Sequence, residues 1–214
     1  MRYLFDGPSS LQVGVESGAR SLKDALSEYT DSWGVRLVPG NSIPAAISKV
    51  PENGVIILMP GTYKLSTALD INKKVSIRGF GRVILEGIST TMIILSAAGC
   101  ELRDVYIRPN VNSVGNDAAV DMTGNQSKII DCTIESELDH GINVTGDNCV
   151  VRGCSFQTTA SISTVGDIYW ADNAENGQAY GNIHSTTRDY VLDYRTADNM
   201  SQSANGRSAI INAR

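Results

Sequence analysis

No apolar run in this chain comes near the roughly 20 residues that a membrane-spanning helix needs. The longest, such as Val55 to Met59, are far shorter. The opening residues Met1-Arg-Tyr-Leu-Phe-Asp6 also lack the apolar stretch of a secretory signal, so the expected site of synthesis is a cytoplasm without Sec-type export. Positive charge is scarce as well. Lys and Arg number 18 against 23 Asp and Glu, for a net charge of −5 and a pI of about 5.0. That balance argues against nucleic acid or an anionic membrane as partner. The one short basic feature, Lys73-Lys74, is expected to sit solvated in a turn.

The 4 cysteines form no CxxC pair, which argues against a zinc site. There are 2 histidines, His140 and His184, and neither has a nucleophile or thiolate set beside it. No Ser/His/Asp arrangement and no phosphate-binding loop is visible, so no catalytic, cofactor-binding or metal-ligating residue is assigned. Aromatics make up only 6% of the 214 residues, alongside 20 glycines and 6 prolines. Such a composition suits many short strands joined by tight turns, and the length fits one domain, with or without a small appendage.

What is present is a pattern written four times between Ile93 and Ile183. Each copy reads strand, turn, strand, turn, strand. The copies are Ile93-Ile-Leu95…Leu102…Val105-Tyr-Ile107, Val120-Asp-Met122…Ile129…Cys132-Thr-Ile134, Ile142-Asn-Val144…Val151…Cys154-Ser-Phe156, and Tyr169-Trp-Ala171…Gly181-Asn-Ile183. Steps of 27, 22 and 27 residues carry Ile107 onto Ile134, Phe156 and Ile183, and Leu95 onto Met122, Val144 and Ala171. A period in the twenties with three period-two segments and no helical half describes one coil of a parallel β-helix. Strands of successive coils then lie about 4.7–4.9 Å apart, stacking equal positions into inward ladders. Ile107, Ile134, Phe156 and Ile183 form one expected ladder. Leu102, Ile129 and Val151 form another, fading at Gln178. Cys132 and Cys154 stack as free core thiols. For Cys100 and Cys149 the sequence does not choose between inside and outside.

Upstream, residues 1–20 are rich in Gly, Ser and Pro and read as an extended arm, either docked on a partner or disordered. Ser21-Leu-Lys-Asp24 starts a short amphipathic helix over 22–29. Asn41 or Ser42 caps a second, with Pro44 in its first turn. The helices are expected to cover the first coil of a β-helix domain over 21–195, and a polar tail over 196–214 to fold over the far end or pack on a neighbour.

The passage Ile43-Pro-Ala-Ala-Ile47, Gly54-Val-Ile-Ile-Leu58, Pro60-Gly-Thr-Tyr63, Val75-Ser-Ile-Arg-Gly79 and Gly81 resembles the N-terminal signature of the pectate-lyase-like superfamily, and in particular bacteriophage tailspikes and related virion proteins. The likeness is close over about residues 40–90 and loose to about 195. It implies an all-β, right-handed, single-stranded parallel β-helix, of about five to six coils by the repeat count. It also implies a homotrimer placed in a virion assembled in the host cytoplasm, with other virion proteins as partners.

Polysaccharide-active members of that superfamily use carboxylates on the helix face, and a hydrolase needs two of them about 5 to 9.5 Å apart. The acids able to cluster are Asp104, Asp121, Asp131, Glu135, Glu137 and Asp139. Asp104 and Asp131 occupy equal positions on adjacent coils, continuing as Gly153 and Tyr180, and form either an acid pair or a solvated turn held by Arg103 or Arg152. A stack of roughly 25–30 Å leaves little room for a long saccharide groove. Trp170, Tyr106, Tyr190 and Tyr194 are expected outward, as an interface or a sugar platform. The expected function is therefore a non-enzymatic structural protein, decorating or cementing a capsid. A tail spike that binds or cleaves host surface glycan is the alternative.

Overall fold

The structure, a computed structural model, describes residues 34–88, 91–109, 118–136, 140–158, 167–171 and 173–184, with strand fragments at 12–13, 20–21, 192–193 and 201–203. The fold is an all-β parallel β-helix of about five turns. Each turn contributes one strand to each of three sheets. The first coil is Val55–Leu58, Gly61–Leu65 and Leu69–Asp70, and the second is Ser76–Gly79, Val83–Gly87 and Ile93–Leu95. The third is Glu101–Arg103, Tyr106–Pro109 and Ala118–Met122; the fourth is Lys128–Ile130, Thr133–Ser136 and His140–Val144. The fifth is Val150–Arg152, Ser155–Thr158 and Ile168–Trp170, and a sixth begins at Gln178–Tyr180 and Ile183–His184. Every pairing between coils is parallel and in register.

Inward ladders fill the prism. Ile56, Ile77, Leu102, Ile129, Val151 and Ala179 line the first sheet. Leu85, Ile107, Ile134 and Phe156 line the second, and Leu95, Met122, Val144 and Trp170 the third. All are buried, and each Val, Leu, Ile, Met and Phe among them contributes about 1.5–3 kcal/mol by leaving water.

The last coil departs from the expected 27-residue step. Phe156 pairs with His184 and Val151 with Ala179, steps of 28, whereas Val144 pairs with Trp170, a step of 26. The turn from Trp170 to Ala179 is therefore two residues longer than the one from Val144 to Val151. In a strand, a slip of one residue exchanges inside for outside. Trp170, expected outward, is fully buried; Ile183, expected in the ladder, is 60% exposed; Gln178 gives its inward place to Ala179. Trp170 also takes the place of Ala171 in the third-sheet ladder. The corner beside it makes room. Val75, Cys100, Ser127 and Cys149 stack at one position, and the next residue is Gly177, where a Cβ would lie 2.0 Å from the Trp170 ring.

All four cysteines are free and buried, as expected for Cys132 and Cys154. Cys100 and Cys149 also prove to be inside. Their thiols donate to backbone carbonyls, Cys100 to Ala97 at 3.0 Å and Cys149 to Gly124 at 3.4 Å. Above Cys132 and Cys154 the corner ladder continues to Asn182, buried and satisfied: its Oδ1 accepts from the Cys154 N–H at 2.9 Å and its Nδ2 donates to Val151 O at 3.2 Å.

At the N-terminal end, helix α1 (Ile43–Lys49) buries Ile43, Ala46 and Ile47 in the core cluster. Ser42 caps it by accepting from the Ala45 N–H, and Pro44 lies in its first turn. Lys73 does not stand free as expected: its ammonium donates to the carbonyls of Val50 and Ser48 at the helix end, where a cation also suits the dipole. The expected helix over 22–29 and most of the arm and tail lie outside the described residues. Within the arm, Gln12–Val13 pairs antiparallel with Arg20–Ser21. From the tail, Ser201–Ser203 adds a strand to the first sheet beside Gln178–Tyr180.

Two outcomes follow from this packing. Gly177→Ala drives a methyl into the Trp170 ring and is expected to lower stability by about 1–3 kcal/mol, read from urea unfolding. Burial raises the Cys149 thiol to about 11 and moves Cys100 and Cys132 upward too. The unfolded chain ionises near the ordinary thiol value of about 8.5, so above that pH it binds fewer protons than the native state. Stability is therefore expected to fall as pH rises from about 8.5 to 11. Native thiols should react with a disulfide reagent only after unfolding.

Candidate functional site

Three outward features carry polar chemistry, and each is built by the register. At the corner between the first and second sheets, Asp104 and Asp131 take left-handed backbone angles, φ 57° and 53°. Gly153 and Gly181 continue that position at φ 65° each, so Gly181 and not Tyr180 follows Gly153. The Arg103 guanidinium reaches both carboxylates, Asp104 at 3.0 Å and Asp131 at 3.5 Å. Their side chains are 46% and 47% exposed. The hydrogen bond that Arg103 donates to Asp104, with the nearby charges, raises the Arg103 pKa further. This is the solvated turn, held by Arg103. Arg152 instead stands over the Tyr180 ring, 5.9 Å from its centre.

The second sheet carries a rung-to-rung network. Arg108 meets Glu86 at 2.7 Å, and the Tyr106 hydroxyl donates to Glu135 at 2.5 Å. Burial, then the bond to Glu135, moves the Tyr106 phenol upward. Tyr106 is thus outward as expected but only half-exposed, and already engaged.

The third sheet holds the most varied band. Asp121 and Asn143 are neighbours in register, and the Asn143 amide donates to Asp121 Oδ1 at 3.1 Å. Thr91 donates to the other carboxylate oxygen at 3.5 Å. Tyr169 follows Asn143 in register and stacks on His140 at 4.8 Å between ring centres, 21° from parallel. The Asn143 Oδ1 is buried and has no hydrogen-bond partner among the described residues. A carboxylate, an amide and a phenol thus stand in one column, with the Thr91 hydroxyl beside the carboxylate and the buried His140 ring against the phenol, a set suited to hydroxyl-bearing ligands.

Asp104 and Asp131 come together as expected, Glu135 joins Tyr106, and Asp121 goes to a different face. Glu137, Asp139, Tyr190, Tyr194 and the His184 side chain lie outside the described residues. Asn143 and Tyr169 were missed: the repeat points to Asn143, which follows the inward Ile142 as Asp121 follows Val120, but its 27-residue step puts Tyr169 in the inward place that Ile168 takes. A cleft of about 490 Å³ opens between the start of α1 and the first coil, lined by Asn41, Ser42, Pro44, Thr62, Lys64 and Leu69 among others. Among the described residues, no three of His, Cys, Asp and Glu group so as to hold a metal ion.

Fold and surface together define the class as a parallel β-helix with polar outward columns. No protein-family model and no curated protein sequence matches the chain. Solved structures do. A glycosyl hydrolase-like protein from Parabacteroides merdae is 12% identical at a TM-score of 0.58, over 79% of this chain and 93% of its own. A pectin methylesterase solved with a hexasaccharide is also 12% identical, at a TM-score of 0.48 over 77% of this chain and 71% of its own. At such identities the likeness is one of fold.

The left-handed corner gives a test. Asp131→Gly and Asp131→Asn are expected to hold stability within about 1 kcal/mol, while the β-branched Asp131→Val lowers it by about 1–2 kcal/mol. Thermal unfolding reads the difference.

Proposed function

We propose that this chain is a non-enzymatic structural protein of a bacteriophage virion, a short trimeric tailspike-like β-helix that decorates or cements the capsid surface. The observation that carries the reading is the fate of the paired acids. Asp104 and Asp131 stand about half exposed on one guanidinium, at a position where the next coils need only glycine. General acid catalysis needs a carboxyl in a sheltered place beside its substrate. These two serve a turn. The resemblance of residues 40–90 to virion β-helices, and an outer surface whose charges bind one another from rung to rung, support the same reading.

A second reading, a tail-associated spike acting on host surface glycans, draws on the third-sheet band. The unfilled Asn143 acceptor is what a sugar hydroxyl would donate to.

Two measurements separate them. Copy number in purified particles is expected in the hundreds, as for a capsid protein; a few to about eighteen copies would indicate a tail. Incubation with host capsule is expected to release no reducing ends or unsaturated uronates. Turnover that disappears in Asp104→Asn, Asp131→Asn or Asp121→Asn would replace the structural reading with the enzymatic one.

A further inference from the structure

The chain is acidic, yet one of its faces is not. Outward positions of the first sheet form a column in which register places Arg36, Ile57, Arg78, Arg103, Ile130, Arg152 and Tyr180 one above another. Four arginines therefore stand on one flat face at multiples of about 4.8 Å. With Lys128 in the neighbouring column, the face has five positive groups against Glu101, Asp104 and Asp131, while the whole chain is at −5. Arg78 pairs with Glu101 at 3.2 Å and Arg103 with the two aspartates. Arg36 and Arg152 are exposed and have no ion pair among the described residues.

The edge of the same face is apolar. Met59 N–H bonds to Leu37 O and Phe80 N–H to Leu58 O, which stacks Val38, Met59 and Phe80 along the corner. Val38 is 53% exposed and Phe80 64%. Val55 and Ile57 continue this surface, half-buried, around Arg36 and Arg78. Large exposed apolar groups clustered with arginine mark a protein-binding surface.

We propose that the outward face of the first sheet docks a protein partner whose own surface carries carboxylates around apolar side chains. The charge of the column selects an acidic partner, and guanidinium forks fit carboxylates in pairs. Its apolar component selects polypeptide over acidic saccharide. Val38, Met59, Val55 and Ile57 surround the exposed Phe80 ring with branched aliphatics and methionine, which accept apolar side chains, and the ring within the column, Tyr180, is already under Arg152. The inference rests on the structural reading above and names the surface through which such a protein attaches.

The test uses the full chain and a random glutamate–tyrosine copolymer as probe, followed by fluorescence anisotropy. Polyglutamate, polygalacturonate and polylysine serve as comparison probes. The copolymer is expected to bind about tenfold tighter than polyglutamate or polygalacturonate, with polylysine weakest, and binding is expected to weaken as salt rises. Arg36→Gln with Arg152→Gln should weaken binding about tenfold, and Phe80→Ser should do so with little change in salt dependence. All three positions are exposed, so the variants keep the fold, which unfolding midpoints check. Absence of copolymer binding, binding untouched by these substitutions, or equal binding of polygalacturonate would overturn the docking surface. Any of these would leave the virion reading standing on its copy number.

Discussion

Everything in this molecule depends on parallel strands lying about 4.8 Å apart with equal positions in register. That spacing is close to side-chain contact distance, so each residue chooses its neighbours above and below. Ile107, Ile134 and Phe156 form one contact chain because register leaves them no other arrangement. The same rule governs the corners, where thiols, Ser127 and Asn182 bond to carbonyls of an adjacent turn or of their own. Glycine appears where a neighbour already occupies the space, as at Gly177 under Trp170 and at Gly141, whose Cβ would meet Phe156 at 2.9 Å.

Stacking also organises the outside. Columns of outward residues bring like beside like unless the sequence alternates them. On the second sheet it does, and Glu86–Arg108 and Tyr106–Glu135 tie adjacent rungs. On the first sheet it does so only in part, and a row of arginines beside exposed Val38 and Phe80 is left over. Surface ion pairs of this kind contribute little to stability, so such columns act mainly on what approaches the face. The three faces therefore differ in surface chemistry: a linked polar sheet, a basic and apolar sheet, and a sheet with a buried amide acceptor that has no partner among the described residues.

The ladders were legible before any coordinates because period-two alternation and recurring offsets are properties of sequence alone. The cap at Ser42 and Pro44 was legible for a similar reason, since local backbone chemistry decides it. The last coil was not. Spacing alone cannot show whether extra residues lie in a turn or a strand: a step of 26 instead of 27 reversed Trp170, and the two-residue lengthening between Trp170 and Ala179 made the next step 28 and reversed Gln178 and Ile183. Among the acids, proximity of Asp104 and Asp131 could be read from the repeat, but their sharing of Arg103 could not.

The sequence by itself determined the architecture: three short strands per turn, stacked in parallel, with small residues at the corners, because periodicity and turn chemistry are local. Tertiary structure decided which charges meet, which thiols lie inside and which face stays open. Those outcomes depend on register and on side-chain direction between coils, and a shift of one residue in a single turn changes them while leaving the local pattern almost the same.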